Sequence, residues 1–344
     1  MPIIMADDLE TIAREVLLAA GGSAANAAVV AEHLVRANLS GVDTHGVWHL
    51  PGYVEHLANG WIDGTAQPAV LKEGSNSALV SGHWTFGQVA ARYATELGIR
   101  LALEREVAVV GLVQCHHIGR LGHYPEMAAE AGVLTQVWAG GYSEEAPAAM
   151  PYGGRSRLLH TNPISMGFPA GSEPAMVFDY ATTVLAGVKV DNARRRGEAL
   201  PPGAIVDREG RPTTDPDAFF EGGGHVQFGG HKGYALSMAA EFLGRIFTGA
   251  NAFADPARGG PVLRNQGATF VFMRHDLLAS SGDYRSRADE MERRTRAVPP
   301  APGHERVMVP GDPESLSRAT RLAQGIPVEE GIWEQVARLP RRSA

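Results

Sequence analysis

Apolar residues recur every three or four positions along the first forty residues of the chain. Between Ala6 and Leu39 this spacing predicts two packed helices, separated by the pair Gly21–Gly22. Ser23 follows that pair and is a candidate N-cap, because its hydroxyl can accept a backbone N–H of the second helix. The helix pair has no basic face, so we predict a structural role for it rather than DNA binding.

Three short, largely apolar runs predict buried strands further along the chain. The runs are Val107–Gln114, Leu134–Ala139 and Met176–Phe178. Each is followed by a polar or glycine-rich segment, and these segments begin with Cys115, Gly140 and Asp179. Ligands commonly lie where the loops at strand ends converge, so we predict that the three segments line one pocket.

Two longer helices are predicted over Gln88–Glu104 and Tyr234–Ile246. The charged segment Ser280–Pro302 is expected to be exposed and mobile. The basic cluster Arg194–Arg196 is expected in a solvated turn, and no binding partner is assigned to it.

The composition limits the class of protein. The 344 residues are 44% hydrophobic and 20% charged, which allows one large domain or two unequal ones. A formal net charge of −7 argues against nucleic acid and anionic membranes as partners, since both attract clustered Lys and Arg. Cys115 is the only cysteine, so no intrachain disulfide can form and a cytoplasmic location is expected. Neither a secretory leader nor a membrane helix is expected.

Several motifs of common enzyme classes are absent from the sequence. No G-x-G-x-x-G follows a predicted strand and no P-loop occurs, so a Rossmann nucleotide fold is not indicated. No G-x-S-x-G marks a serine hydrolase. No H-E-x-x-H or other metal-ligand spacing is found, so no metal site is predicted.

Histidines in glycine-flanked loops are the remaining candidates for chemistry. His45 precedes Gly46 after a predicted helix end, where an imidazole can donate or accept a proton near neutral pH. His117 follows a predicted strand, with His116 as its alternate on the opposite face. Asp179 also lies at a strand end, where a carboxylate can orient a histidine, hold a ribose hydroxyl or cap a turn. For each of them a purely structural role is the alternative.

The segment Gly229–Leu236 has the features of an anion site. Its paired glycines let backbone N–H groups approach a phosphate, the following helix adds its own N-terminal N–H groups, and Lys232 adds charge. A tight junction between loop and helix with an exposed lysine explains the same residues equally well. Pro310–Gly311 has the pattern of an ordinary turn.

Taken together, these segments resemble the type-2 malate/L-lactate dehydrogenase family. This sulfolactate dehydrogenase-like group also includes ureidoglycolate dehydrogenase, 2,3-diketo-L-gulonate reductase and Δ1-piperideine-2-carboxylate reductase. The resemblance spans nearly the whole chain and rests on the joint order of motifs that are each weak alone. They are Asp43–Gly46, Phe86–Gln88, His117–Gly119, Thr161–Ile164 with Gly167–Pro169, Asp179–Thr183, Lys189, Leu200–Pro201, Thr213–Pro216, Gly230–Tyr234 and Pro310–Gly311.

The resemblance implies an α/β fold of the non-Rossmann, sulfolactate dehydrogenase-like kind, with a mixed sheet and a helical N-terminal part. It implies three parts of the chain: residues 1–75 form the helical part with the catalytic loop, 76–305 the cofactor-binding domain, and 306–344 a segment that returns to the N-terminal part. It also implies an intimate homodimer.

The resemblance further implies hydride transfer between a nicotinamide cofactor, NAD or NADP, and a small 2-hydroxy or 2-oxo acid. His45 is the first choice for the proton donor in reduction. His117 is either a second proton-transfer group or the group that orients the substrate, and Asp179 tunes the site. The implied cofactor contacts are Asp179, Tyr180, Ala181, Thr182, His231, Lys232, Gly233, Pro310 and Gly311.

The chain departs from the family pattern at two positions. Many relatives carry Arg four residues after the first histidine, where this chain has His49, so a bidentate clamp for a substrate carboxylate is lost. Arg120 stands where small residues are common. His49 and Arg120, together with Thr161, are assigned to substrate binding, and the substrate preference stays open.

Three functions stay open at this point: an active 2-oxo-acid dehydrogenase, a cyclic imino acid (ketimine) reductase on the same scaffold, and a catalytically silent paralogue that binds only a nucleotide or a partner. The presence of both His45 and His117 argues against the silent form. Without the acidic residue of a Rossmann fold, no simple rule separates NAD from NADP.

Overall fold

The computed structural model describes residues 1–141 and 146–342 of the chain. Tyr142, which follows the second predicted strand, lies outside the described residues. The helices of the described part are α1 (Ala6–Ala19), α2 (Ala24–Leu39), α3 (Leu50–Ala58), α4 (Gly87–Arg105), α5 (His123–Glu130), α6 (Gly187–Arg196), α7 (Asp217–Phe220), α8 (His231–Glu241), α9 (Gly260–Leu263), α10 (Ser281–Arg296), α11 (Asp312–Gln324) and α12 (Glu330–Arg338).

The strands of the same residues are β1 (Ile3–Ile4), β2 (Ala69–Glu73), β3 (Ser77–Ser81), β4 (Val107–Val113), β5 (Val133–Gly140), β6 (Ile164–Phe168), β7 (Met176–Tyr180), β8 (Ile205–Val206), β9 (Pro212–Thr213), β10 (Gly224–His225), β11 (Gly267–Arg274) and β12 (Ile326–Pro327). Short 3₁₀ segments, Asp43–His45 and Val47–His49, precede α3. A π-helical turn, Phe242–Ile246, extends α8.

A seven-stranded mixed sheet lies at the centre of the fold, in the order β2-β3-β4-β11-β5-β6-β7. β3 and β4 are parallel, and the other neighbouring pairs are antiparallel. The three predicted strands are β4, β5 and β7 of this sheet. The predicted α/β fold with a mixed sheet is therefore confirmed.

Both faces of the sheet are covered by helices. Val110 of β4 and Leu101 of α4 belong to one buried apolar cluster. The adjacent Gly111 faces the other layer, where a Cβ would lie 3.4 Å from Thr248, just after the π-helical turn. Strands covered on both sides are apolar throughout rather than alternating, which is the pattern that the sequence shows for β4.

The N-terminal helices have a second core. Three leucines of α1 and α2 are fully buried in it: Leu9, Leu17 and Leu34. Ile326 of β12 lies in the same core, and β12 pairs with β1, so the C-terminal segment returns to the N-terminal helices. Phe86, before α4, also belongs to this core and connects it to the sheet. The boundaries at 75 and 305 stay predictions.

Ser23 caps α2, as the sequence predicts. Its hydroxyl accepts the N–H of Asn26 at 3.2 Å. No helix within the described residues is long and apolar enough to cross a membrane.

Two segments are largely exposed, as the sequence predicts, but form helices that it does not predict. The segment 280–302 contains α10, with Ser280 as N-cap accepting the N–H of Asp283 at 3.3 Å. The cluster Arg194–Arg196 forms the last turn of α6, which ends at the left-handed Gly197. Both helices are polar around most of their circumference, so no apolar period marks them, and their capping residues were the available signal.

Candidate active site

The strands β4, β5 and β7 run in the same direction, because the antiparallel strands β11 and β6 stand between them. Their carboxyl ends therefore meet at one edge of the sheet. The segments carrying His117, Gly141 and Asp179 lie at this edge. The fold thus brings together the strand ends that the sequence marks as a pocket.

Asn38, near the end of α2, fixes the loop that carries His45. Its Oδ1 accepts the N–H of Val47 at 2.9 Å, and its Nδ2 donates to Asp43 at 2.7 Å. A Cβ at Gly46 would overlap the Asn38 side chain. The motif Asp43–Gly46 ends in glycine because the loop passes directly over Asn38.

Arg321 of α11 holds the same loop from the C-terminal segment. Its guanidinium donates to both carboxylate oxygens of Asp43, at 2.7 and 3.1 Å. The position of His45 therefore depends on two helices that are far apart in sequence.

A close approach between α4 and the segment after β4 positions His117. Gly87 begins α4, and a Cβ there would overlap the backbone carbonyl oxygens of His116 and His117. Only glycine leaves room for this contact. The next residue, Gln88, is thereby placed against Tyr53 of α3.

Three imidazoles meet where these segments converge. The ring centroids of His45 and His117 are 5.6 Å apart, those of His49 and His117 4.3 Å, and those of His45 and His49 6.0 Å. All three are partly exposed, whereas His116 is 1% exposed and packs against His56. We call His45, His49 and His117 the imidazole cluster. No group of His, Cys, Asp and Glu within residues 1–141 and 146–342 is arranged to hold a metal ion.

Tyr53 contacts the cluster and Gln88 contacts Tyr53, and sequence reasoning missed both roles. The phenol oxygen of Tyr53 lies 2.8 Å from Nδ1 of His117, and Nε2 of Gln88 donates to that oxygen at 2.6 Å. Gln88 belongs to the motif Phe86–Gln88, which was the available signal. Tyr53 had none, because a tyrosine on an apolar helix face is usually a core residue.

Burial determines the protonation of the imidazole cluster. It lowers the pKa of His45 to about 4, and the positive charge of Arg120 contributes to this shift. Burial also lowers the pKa of His49 to about 3, with contributions from the charges of neighbouring histidines, and lowers that of His117 well below its usual value. All three rings are therefore neutral at pH 7.

Asp179 joins the end of β7 to the loop after His117. Its Oδ2 accepts the backbone N–H of Gly122 at 2.7 Å. Burial raises the pKa of Asp179, against the opposing effects of the Arg120 charge and of backbone hydrogen bonds. Asp179 thus holds the backbone just before α5, and its predicted roles towards a histidine and a ribose hydroxyl stay predictions.

Arg120 is only 3% exposed, and its charge is already paired. Its guanidinium donates to Glu126 at 2.9 Å and to Ser40 at 3.4 Å. Glu126 also accepts from Arg318 at 3.0 Å and from Arg36 at 3.2 Å. The contact between Arg120 and a substrate stays a prediction, and a substrate anion would have to compete with Glu126.

The segments predicted to contact the cofactor are linked by hydrogen bonds. The hydroxyl of Thr182 donates to the carbonyl of Thr161 at 2.9 Å, and the carbonyl of Thr182 accepts the N–H of Phe228 at 3.0 Å. The rings of Tyr180 and Phe228 are 5.4 Å apart. Ala181 lies between Tyr180 and Thr182 in the sequence and is partly buried. Thr161 and the residues after β7 thus form one surface with the loop before α8.

The N-terminus of α8 lies next along this surface. Gly229–Gly230, both with positive φ, lead into the helix, and His231 and Lys232 are exposed at its start. Gly233 packs so closely on the carbonyl of Phe228 that a Cβ there would overlap it. The N-terminus of an 11-residue helix with two basic side chains is suited to a phosphate.

Pro310–Gly311 lies against β7. The carbonyl of Pro310 accepts the N–H of Val177 at 3.3 Å, and Gly311 has a φ of 99°. Arg296 fixes the next residue, Asp312, through hydrogen bonds of 2.9 and 3.1 Å. This segment therefore lies beside the strand that ends near Asp179.

The chain is similar to known proteins along nearly its whole length. The family model for malate/L-lactate dehydrogenase matches residues 4–337. The L-sulfolactate dehydrogenase of Methanothermobacter thermautotrophicus is 32% identical over 96% of this chain and 94% of its own. The Δ1-pyrroline-2-carboxylate/Δ1-piperideine-2-carboxylate reductase of Pseudomonas syringae pv. tomato is 35% identical over 95% of this chain and 93% of its own.

The fold agrees with these sequence matches. The crystal structure of the Δ1-piperideine-2-carboxylate reductase from Pseudomonas syringae pv. tomato superposes with a TM-score of 0.87 at 32% identity. The superposition covers 98% of this chain and 100% of that one. The chain belongs to the malate/L-lactate dehydrogenase family.

Proposed function

We propose that this protein is an NAD(P)-dependent oxidoreductase that transfers hydride between a nicotinamide and a small 2-hydroxy or 2-oxo acid. The observation that carries the proposal is the imidazole cluster, which lies at the sheet edge where the predicted cofactor segments also lie. Relatives named as a sulfolactate dehydrogenase and as an imino acid reductase support this class of reaction.

The residues at the start of α8 fit the phosphates of a dinucleotide. Lys232 supplies charge, the exposed ring of His231 can donate a hydrogen bond, the positive-φ glycines allow backbone N–H groups to approach, and Gly233 leaves no room for a side chain. We assign the remaining cofactor contacts to two segments beside β7, Asp179–Thr182 and Pro310–Gly311.

The choice between NAD and NADP stays open in this proposal. The basic cluster Arg194–Arg196 is the obvious candidate for a 2′-phosphate, yet each of its arginines pairs with a carboxylate. The pairs are Arg194–Asp217, Arg195–Asp191 and Arg196–Glu329. A 2′-phosphate would have to displace those carboxylates.

His45 is the proton-transfer group in this proposal. The nicotinamide, when bound, accepts or supplies the hydride. As a hydride leaves the substrate carbon, the hydroxyl must lose a proton, and the neutral ring of His45 can accept it. In reduction, protonated His45 returns that proton to the developing alkoxide. The pKa of about 4 makes the neutral base the resting form, and a bound carboxylate raises this pKa by adding negative charge.

His49, Thr161, Arg120 and Asp179 have supporting roles in this proposal. His49 lies beside His117 and is assigned to the substrate carboxylate, and Thr161, which accepts a hydrogen bond from Thr182, is assigned to the cofactor side of the pocket. Arg120 acts through its charge on His45, and its assigned contact with the substrate requires the substrate anion to compete with Glu126. Asp179 accepts a hydrogen bond from the backbone of Gly122 and so holds the segment that follows His117.

A second candidate is the reduction of a cyclic imino acid, and the low pKa values of the imidazole cluster favour it. A protonated cyclic imine brings its own proton into the site, so hydride addition to its carbon needs no acid with a pKa near 7. The relative from Pseudomonas syringae is named for such substrates.

We also propose a cytoplasmic homodimer. Three apolar side chains at the end of α8 and just beyond are 53%, 54% and 66% exposed: Phe242, Ile246 and Phe247. Exposed apolar patches of this kind are typical of interfaces, and a second copy of the chain is the partner that we assign. Cys115 is a buried free thiol, as suits a reducing compartment. Size-exclusion chromatography with light scattering tests the dimer, and Phe247→Glu should weaken it.

The test of the reaction is the loss of reduced-nicotinamide absorbance with NADH and NADPH separately, against 2-oxo acids of increasing size and one cyclic imino acid. Turnover of at least one substrate is expected, with a loss of ~10²–10⁴-fold in His45→Ala. His304→Ala, at an exposed histidine, is the control and should retain activity. Tight cofactor binding without turnover of any substrate would contradict the proposal and favour a silent paralogue.

A further inference from the structure

We propose that Gln88 and Tyr53 fix the tautomer of His117, so that the neutral ring carries its proton on Nε2 and donates a hydrogen bond to the substrate. The inference rests on the proposed function. It decides between the two roles that were open for His117, a second proton-transfer group and the group that orients the substrate. His117 is then the orienting donor, and His45 is the proton-transfer group.

The argument starts from the hydrogen bond between Gln88 and Tyr53. Nε2 of Gln88 lies 2.6 Å from the phenol oxygen, and an amide nitrogen can only donate. The oxygen of Tyr53 therefore accepts this bond. Its single hydrogen remains for the contact of 2.8 Å with Nδ1 of His117.

Nδ1 of His117 is consequently an acceptor. A neutral imidazole has one nitrogen with a lone pair and one with a hydrogen, so the hydrogen is on Nε2. Burial lowers the pKa of His117 well below its usual value and raises the pKa of Tyr53, so the ring carries one proton and the phenol retains its own. Both groups therefore keep these roles around pH 7.

The two positioning residues have little freedom to turn away. Tyr53 is 2% exposed, with its ring 5.5 Å from that of His49 and 6.0 Å from that of Phe86. Gln88 is 1% exposed and stands one residue after Gly87, whose contact with the backbone of His117 sets the distance between α4 and the cluster. Such supporting hydrogen bonds commonly set the orientation and tautomer of a functional histidine.

The consequence for the reaction is that His117 and His45 have different roles. The lone pair of His117 is occupied by Tyr53, so this ring cannot take the proton that leaves a 2-hydroxy acid. Its Nε2–H can donate to the carbonyl oxygen of a 2-oxo acid and stabilise the alkoxide that forms. His45 differs, because its Nδ1 lies 3.1 Å from the hydroxyl of Thr44, which can donate or accept. His45 is therefore free to exchange a proton.

The first experiment measures the tautomer without any turnover. The imidazole nitrogens of ¹⁵N-histidine-labelled protein are observed by two-bond ¹H–¹⁵N correlation at pH 7.5, with His117→Asn used to assign the signals. We expect the Nε2–H tautomer in the wild type, and a mixture of both tautomers in Tyr53→Phe and Gln88→Met. An Nδ1–H tautomer in the wild type would overturn the inference, since the Gln88 amide and the Tyr53 hydroxyl would then point the other way.

The second experiment links the tautomer to the reaction. Tyr53→Phe and Gln88→Met are expected to lower kcat by about 10–100-fold with little change in the KM for the cofactor. Tyr124→Phe is the matched control, because it removes another buried phenol, one that donates to the carbonyl of Ile118. The control should retain kcat. Equal losses in Tyr53→Phe and Tyr124→Phe, or an unchanged tautomer in both cluster variants, would overturn the inference.

The two experiments separate this inference from the proposed function. If no substrate is turned over, the proposed function fails, while the ¹⁵N spectrum still decides whether Gln88 and Tyr53 set the tautomer. If a substrate is turned over and the tautomer is Nδ1–H, the function stands and the inference fails.

Discussion

Glu126 holds the buried guanidinium of Arg120 at 2.9 Å, and the same carboxylate accepts hydrogen bonds from Arg318 and Arg36. Three guanidinium groups thus share this carboxylate. The charge of Arg120 contributes to the lowered pKa of His45. A permanent cation therefore acts on the site without being exposed to solvent.

Glu126→Gln should reduce the free energy of unfolding by about 3–5 kcal/mol, because it leaves the buried cation of Arg120 without this counter-charge. Urea denaturation followed by circular dichroism measures the change. Glu130→Gln is the matched control: Glu130 also pairs with Arg36, at 3.3 Å, but its side chain is 69% exposed. Glu130→Gln should lower the free energy of unfolding by less than about 1 kcal/mol. Equal losses in the two variants would show that burial of the network contributes nothing.

Acid should weaken the protein through the same carboxylate. Although burial opposes the shift, the charges of Arg120, Arg318 and Arg36 lower the pKa of Glu126 from 4.5 to about 2. A carboxylate with a lowered folded-state pKa stabilises the protein above its unfolded-state value, and that stabilisation is lost as the pH falls from 4.5 towards 2. Unfolding free energies at pH 5 and pH 3 should differ more in the wild type than in Glu126→Gln. Parallel pH profiles would contradict this assignment.

The oxidation of a 2-hydroxy acid should depend on the neutral form of His45. Because the pKa of His45 is about 4, kcat/KM should be constant around pH 7 and fall only as the pH drops through about 4. A pH–rate profile measures this, with circular dichroism at each pH to verify that the protein stays folded. An inflection near 6.5 would indicate that the base is an unperturbed histidine elsewhere.

Gly87→Ala should move His117 out of place. The new Cβ would overlap two backbone carbonyl oxygens that cannot shift independently of β4, so we expect a loss of about 1–3 kcal/mol in stability and at least tenfold in kcat/KM. Gly282→Ala in α10 is the control, since no atom lies within 4 Å of its new Cβ. The control should be as stable as the wild type or slightly more so. An active, stable Gly87→Ala protein would rule out the close contact.

His49→Arg should strengthen the binding of anionic substrates by adding a fixed charge beside His117. The KM for a 2-oxo acid is expected to fall about tenfold, while that for the amide of the same acid changes little. His49→Gln adds no charge, so it should change the KM for the acid and the KM for the amide by similar factors. If His49→Arg also changes both substrates equally, His49 does not contact the carboxylate.

The sheet could be predicted only in part from the sequence. β4, β5 and β7 were visible as apolar runs, and their loops as polar strand ends. Their common direction was not visible, because it depends on β11, which enters between β4 and β5 from more than a hundred residues later in the chain. Pairing between distant strands is set by packing rather than by local pattern.

The site shows the same division between local and distant information. His45 and His117 could be identified because glycines flank them in short motifs. The role of Tyr53 depends on a partner 64 residues away, and the pairing of Arg120 depends on which carboxylate reaches it in the fold. A single sequence lists such residues but does not say which of them face each other.

The ion pair between Arg321 and Asp43 has a consequence for biosynthesis. The two residues are 278 positions apart, so at ~5–20 residues per second the ribosome needs tens of seconds to deliver the second after the first. Until then the loop that carries His45 lacks one of its two anchors, and β1 lacks its partner β12. A nascent chain can form its first helices but not a finished catalytic loop, so an incomplete translation product should have no dehydrogenase activity of its own.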